Sequence, residues 1–121
     1  MTIEEYKFGS ITIDGKTYEY DVEVRWTGEV LKWWRGESHV VDAEDVKRAM
    51  EQNPELIIIG TGEAGLVKIT DKAKTEILSR GIGLISDKTE EAVKTFNIQK
   101  GESEEEEGKQ KKVIGLFHLT C

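Results

Sequence analysis

Cysteine, proline, histidine and long apolar runs are all scarce in this chain, and each scarcity removes a class of protein. Cys121 is the single cysteine, so no internal disulfide can form and nothing calls for an oxidising compartment. A cytoplasmic setting is expected. The longest apolar run, residues 56–59, is far short of a membrane span, and the opening "MTIEEYKFGS" is acidic and mixed, unlike a signal peptide. With two histidines, His39 and His118, and no C-x-x-C or H-x-x-x-H spacing, no metal site is expected. A basic excess is also missing: the formal net charge is -7, which argues against nucleic acid and against an anionic membrane as partners.

What is present suits one compact domain. The chain has 121 residues, 37% of them hydrophobic, enough for a single core and too few for two ordinary domains. One domain spanning residues 1–121 is expected. Charged residues, mainly Glu and Lys, make up 34% of the chain, a balance found in heat-adapted proteins.

The first third reads as antiparallel β-structure. "FGSITIDGKTYEYDVEV" sets Ile11 and Ile13 on one phase and Ser10 and Thr12 on the other, breaks at the hairpin dipeptide Asp14-Gly15, and resumes through Tyr18, Tyr20, Val22 and Val24 at a period of two. That period predicts one continuous second strand. After a turn at Thr27-Gly28, "EVLKWW" reads as a third strand. From residue 42 the pattern changes. Asp42 caps a helix carrying Ala43, Val46, Ala49 and Met50, which Asn53-Pro54 stops. "ELIIIG" lacks alternation and suits a strand covered on both faces. "LVKI" reads as a short strand. A helix follows from Thr70 or Asp71, with Ala73, Ile77 and Leu78 on its apolar face and Gly81 at its end. "IGLIS" is a strand, a helix from Asp87 or Thr89 carries Ala92, Val93 and Phe96, and "VIGLFHLT" is the last strand. Alternating strands and helices predict an α/β domain with a central, mostly parallel sheet flanked by helices, to which the N-terminal hairpin adds. Residues 100–112, "KGESEEEEGKQKK", contain no apolar group and read as a mobile, solvated Glu/Lys-rich loop.

The stretch "IIIGTGEAGLVKIT", residues 57–70, holds Gly60, Gly62 and Gly65 in G-x-G-x-x-G spacing after an apolar strand. A dinucleotide site needs three things: that loop, a helix starting inside it, and an acidic residue about twenty positions on. Asp87 supplies the third, but "LVKI" is extended in character and the helix starts only at Thr70 or Asp71. The glycines therefore read as a turn at the C-terminal edge of a buried strand. Open α/β sheets place ligands at that edge, which makes Gly60, Thr61, Gly62 and Gly65 candidate pocket residues.

Other constellations are thinner. His118 and Cys121 lie three apart, so on a strand they face opposite ways, whereas His118 shares its face with Thr120. A terminal cysteine is expected to be a small buried hydrophobe. Trp33 and Trp34 must also point oppositely, one into the core and one outward, which suits packing or oligomer contact better than base stacking in an acidic chain. The 24 carboxylates offer no marked acid/base pair, and catalytic residues stay unassigned.

Taken together, "FGSITIDGKTYEYDVEV", "SHVVDAEDV", "IIIGTGEAG", "EEAVKTFN" and the ending "FHLTC" resemble a family of small domains of unknown biochemical activity. It includes the adipogenesis-associated domain protein of animals, a mitochondrial assembly factor for respiratory complex I, and stand-alone archaeal and bacterial proteins; this chain is similar to the last group, as an archaeal member. The resemblance implies a three-layer α/β domain with a central mixed sheet and does not imply an enzyme; no cofactor is expected. Its matching positions are His39, Gly60, Thr61, Gly62, Thr89, Ala92, Asn97, His118, Thr120 and Cys121. Two functional expectations follow: a non-catalytic interaction or assembly module with a protein partner or a second copy of itself, or a small-molecule site near Gly60 and Gly62 with polar contacts from Thr61, His39, His118 or Thr120.

Overall fold

The computed structural model describes residues 1–105 and 111–121, with the backbone alone for 102–105. Asp14 and Gly15 both take positive φ, 49° and 81°, the requirement of a tight type I′ turn. They join β2 (Ser10–Ile13) to β3 (Lys16–Tyr18), and β1 (Ile3–Lys7) completes an antiparallel sheet of order β1-β2-β3. Ile11 and Ile13 face inward as their phase predicts. The strand expected to run on through Tyr20 does not do so. The chain leaves the first sheet after Tyr18 and enters a second at β4 (Val22–Arg25), with Tyr20 exposed between them. Alternation specifies which side chains face inward, and that rule is satisfied by either sheet.

The central sheet has the order β5-β4-β10-β7-β9, adding β5 (Val30–Lys32), β7 (Leu56–Thr61), β9 (Gly83–Asp87) and β10 (Val113–His118). β10 pairs parallel with β7 and antiparallel with β4, so the sheet is mixed: β10, β7 and β9 form a parallel half and β4 and β5 an antiparallel half. β6 (Val40–Val41) and β8 (Lys68–Ile69) form a separate two-stranded parallel pair.

Helices cover both faces. α1 (Ala43–Met50) begins at Asp42, which accepts from the Ala43 N–H at 2.8 Å while Asp45 accepts from the Asp42 N–H at 2.8 Å, a reciprocal cap. α2 (Asp71–Ser79) starts under the Thr70 cap. Its expected apolar face holds for Ala73 and Ile77, whereas Leu78 is exposed. α3 spans Thr89–Glu105, so the first part of the predicted loop, residues 100–105, is helical instead, and residues 106–110 lie outside the described residues. Lys100 is buried in that helix; polarity alone does not end a helix that is anchored by Ala92, Val93 and Phe96.

Along β7 the residues alternate between two cores. Leu56 and Ile58 join Phe96, Phe117 and the N-terminal sheet, and Ile57 and Ile59 join α1, α2 and Trp33. This explains the unbroken apolar run: both faces are covered. α3 and the N-terminal sheet form one outer layer, α1 and α2 the other. Asn97 ties the first of these together, accepting from the Ile3 N–H at 3.0 Å and donating to the Ile3 carbonyl at 2.8 Å.

Candidate functional site

The parallel strands β7 and β10 end side by side, with Thr61 opposite His118. The glycines at the end of β7 are shaped by that proximity. Gly62 has φ +99°, and a Cβ there would sit 2.6 Å from the Thr120 carbonyl and 3.1 Å from the His118 ring. A Cβ on Gly60 would sit 2.8 Å from the Thr89 hydroxyl. Thr89, fully buried, accepts from the Gly62 N–H at 2.9 Å and donates to the His118 carbonyl at 2.6 Å. One hydroxyl thus joins the start of α3 to the ends of two strands. The Glu63 N–H in turn donates to the Thr120 carbonyl at 2.9 Å.

His118 is also held from the opposite direction. Its Nδ1 lies 2.7 Å from Asp21 Oδ2, and Arg35 Nη2 lies 2.7 Å from the same carboxylate oxygen and from the same ring nitrogen. The tautomer with a proton on Nδ1 donates to Asp21 and leaves Nε2 to accept from the Thr120 hydroxyl, 3.3 Å away. Asp21 Oδ1 accepts from the Leu119 N–H at 2.9 Å. Burial pushes the Asp21 carboxyl up, but hydrogen bonds from His118, the Leu119 amide and Arg35 outweigh it and hold the group below its ordinary value. Arg35 reaches on to the Glu37 and Ser38 carbonyls at 3.2 and 2.6 Å and lies over the Trp33 ring. Its Nε is buried without a hydrogen-bond partner among the described residues.

Carboxylate, imidazole and hydroxyl stand here in the order of an acid–base relay. A hydrolytic relay also needs amide donors free to meet a developing oxyanion. The amides of Gly62 and Glu63 are spent on Thr89 and Thr120. The cluster stitches the end of β10 to the segments at Asp21 and at residues 35–38.

The expected site residues therefore divide into three groups. Gly62, His118 and Thr120 meet at the strand ends and pack on one another, while Gly60 packs on Thr89 and Phe117. Thr61 and Gly65 line a cleft of about 380 Å³ on the other side of the β7 edge, with Lys68, Lys74, Ser86, Asp87 and Lys88. His39 joins neither: it is exposed, and its carbonyl accepts from the Lys68 N–H at 2.9 Å in the β6–β8 pair. Cys121 is exposed, against the expectation of a buried hydrophobe, because β10 ends three residues earlier at His118. Asp21, Arg35 and the three lysines were not singled out by the sequence reading. They come from separate segments, and the period-two pattern runs unbroken past Asp21, so no local signal marks any of them.

No helix among the described residues is long and apolar enough to cross a membrane. The fold is shared with a conserved hypothetical protein from Pyrococcus horikoshii OT3, which is 26% identical with a TM-score of 0.81 over 100% of both chains. The protein MT938 is 27% identical, with a TM-score of 0.79 over 99% of this chain and 98% of that one. An outer membrane protein from Bartonella henselae shares the fold at 20% identity, with a TM-score of 0.79 over 98% of this chain and 94% of that one. The sequence profile of the DUF498/DUF598 family, proteins of unknown function, matches residues 3–116. That match spans nearly the whole folded domain, and the chain belongs to this family.

Proposed function

We propose that this protein is a non-catalytic interaction or assembly module, acting in the cytoplasm, that meets a protein partner or a second copy of itself through the open edge of its central sheet. One observation carries the reading. β5 is an outer strand of that sheet, and beside it Trp34, 70% exposed, and Tyr20, 41% exposed, flank the Lys32 ammonium at 4.2 and 5.1 Å from their ring centroids. An exposed edge strand is a template for pairing with another chain. The two exposed aromatic rings beside it supply the kind of anchor on which protein interfaces concentrate their binding energy. The commitment of His118, Thr89 and the Gly62 and Glu63 amides to internal bonds supports the non-catalytic part.

Size exclusion with light scattering, combined with affinity capture from native lysate, tests the reading. The wild-type chain should either elute as a dimer or recover a stoichiometric partner, and Trp34→Glu should lose that complex while keeping its circular dichroism spectrum. A wild-type chain that is monomeric and repeatedly recovered alone, or a Trp34→Glu variant that retains the complex, would refute it.

A further inference from the structure

The cleft beside Thr61 differs in charge from the molecule that contains it. The chain as a whole is acidic, with a formal charge of -7, yet Lys68, Lys74 and Lys88 all line this one cleft against a single carboxylate, Asp87. None of the three lysines has an ion-pair partner among the described residues. The Asp87 carboxylate accepts from the backbone N–H of Lys88 at 2.8 Å. Three like charges gathered against one carboxylate repel one another, and a bound anion relieves that repulsion.

We infer that this cleft binds a small phosphorylated metabolite, with the phosphoryl group held by the three lysines. The volume of about 380 Å³ lies within the range of small-ligand sites. Its position, outside the carboxyl ends of parallel strands β7 and β9, is the one where open α/β sheets carry ligands. Two uncompensated positive charges match a phosphate dianion better than a monocarboxylate. All three cations are lysines, which act as point charges toward phosphate, and the cleft has no arginine fork of the kind that favours bidentate carboxylate recognition. Val67 and Ile69 give one wall an apolar character for the carbon skeleton, and the Ser86 hydroxyl supplies a polar group.

The glycine loop contributes shape and not charge. In a phosphate loop, free amides turn toward the anion. Here the Gly62 amide donates to Thr89, the Glu63 amide to the Thr120 carbonyl and the Gly65 amide to the Gly62 carbonyl. Gly65, at φ +70°, lets the Lys88 stem pass close above it, 3.3 Å from where a Cβ would stand. The lysine ammonium groups are therefore the phosphate-binding elements.

Amide spectra of ¹⁵N-labelled protein, titrated at constant ionic strength with glycerol phosphate, inorganic phosphate and acetate, test this. Glycerol phosphate should shift the amides around Thr61, Gly65, Ser86 and Lys88 saturably, inorganic phosphate should bind several-fold more weakly, and acetate should not saturate. The double variant K74Q/K88Q should raise the Kd for glycerol phosphate by about tenfold or more. Both lysines are exposed, so its spectrum away from the cleft should overlay that of the wild type. Shifts no larger than those with acetate, shifts spread over lysines remote from the cleft such as Lys7 and Lys94, or unchanged affinity in K74Q/K88Q would overturn the inference. Equal binding of inorganic phosphate and the ester would overturn the assignment to a metabolite. None of these outcomes bears on the Trp34 surface.

Discussion

Asp21 and His118, 97 residues apart in the chain, meet at 2.7 Å beside the Arg35 guanidinium. The carboxylate side chain is 18% exposed and those of Arg35 and His118 are each 6% exposed, so all three charges or dipoles depend on one another. Replacing Asp21 with Asn should cost about 3 kcal/mol in urea denaturation, because it leaves Arg35 buried without its counter-charge. The pH dependence has a definite sign. A carboxyl whose folded value is depressed adds stability above its unfolded value and loses it as pH falls through the folded one. Acid unfolding of the wild type should therefore steepen below about pH 4, and Asp21→Asn should remove part of that slope. A variant with the wild-type acid profile would contradict the role given to Asp21.

Thr89 should be the most sensitive hydroxyl in the protein. Thr89→Val keeps the volume but strands the Gly62 N–H and the His118 carbonyl in a buried site, at a cost of about 2 kcal/mol. Thr89→Ser retains the hydroxyl and should recover most of the loss. Hydrogen exchange at the Gly62 amide should accelerate in the valine variant and stay slow in the serine variant.

Gly62 and Gly81 both take positive φ, but only one is crowded. A Cβ at Gly81 meets nothing within 4 Å, whereas at Gly62 it meets the Thr120 carbonyl at 2.6 Å. Gly81→Ala should cost about 1 kcal/mol, the conformational part alone. Gly62→Ala should cost clearly more and shift the amide resonances of residues 118–121. Similar melting temperatures for the two variants would mean that the strand ends are looser than the geometry indicates.

Tyr6 should titrate late, above the ordinary phenol range. Burial raises its phenol to about 12, with the charges of Glu63, Glu90 and Asp21 acting in the same direction. The neutral hydroxyl donates to the Leu119 carbonyl at 3.0 Å. A group raised on folding adds stability below its unfolded value, about 10, and loses it as pH climbs toward the folded one. Phenolate absorbance should show one delayed tyrosine, absent in Tyr6→Phe, and the alkaline loss of stability should be smaller in that variant.

The β-α alternation was legible because its signals are local. Asp42 and Thr70 cap where side-chain chemistry places them, Trp33 is buried and Trp34 exposed as expected although both lie just past the end of β5, and the glycine motif lacks its helix because α2 begins at Asp71. The continuation through Tyr20 failed because period-two alternation cannot register a change of sheet. The loop expected from residue 100 failed in its first part because composition cannot weigh how far an anchored helix propagates.

The helix starts, most of the strands, the inward phases and the glycine turn at the strand edge depend on neighbours within a few residues, and so could be read along the chain. What stands around that turn depends on the packing of distant segments. That packing drew Asp21 and Arg35 to His118 from far along the chain and turned His39 away from the site. It also gathered Lys68, Lys74 and Lys88 at one cleft. Such meetings are set by strand order and helix packing, and the spacing of residues along the chain carries no record of them.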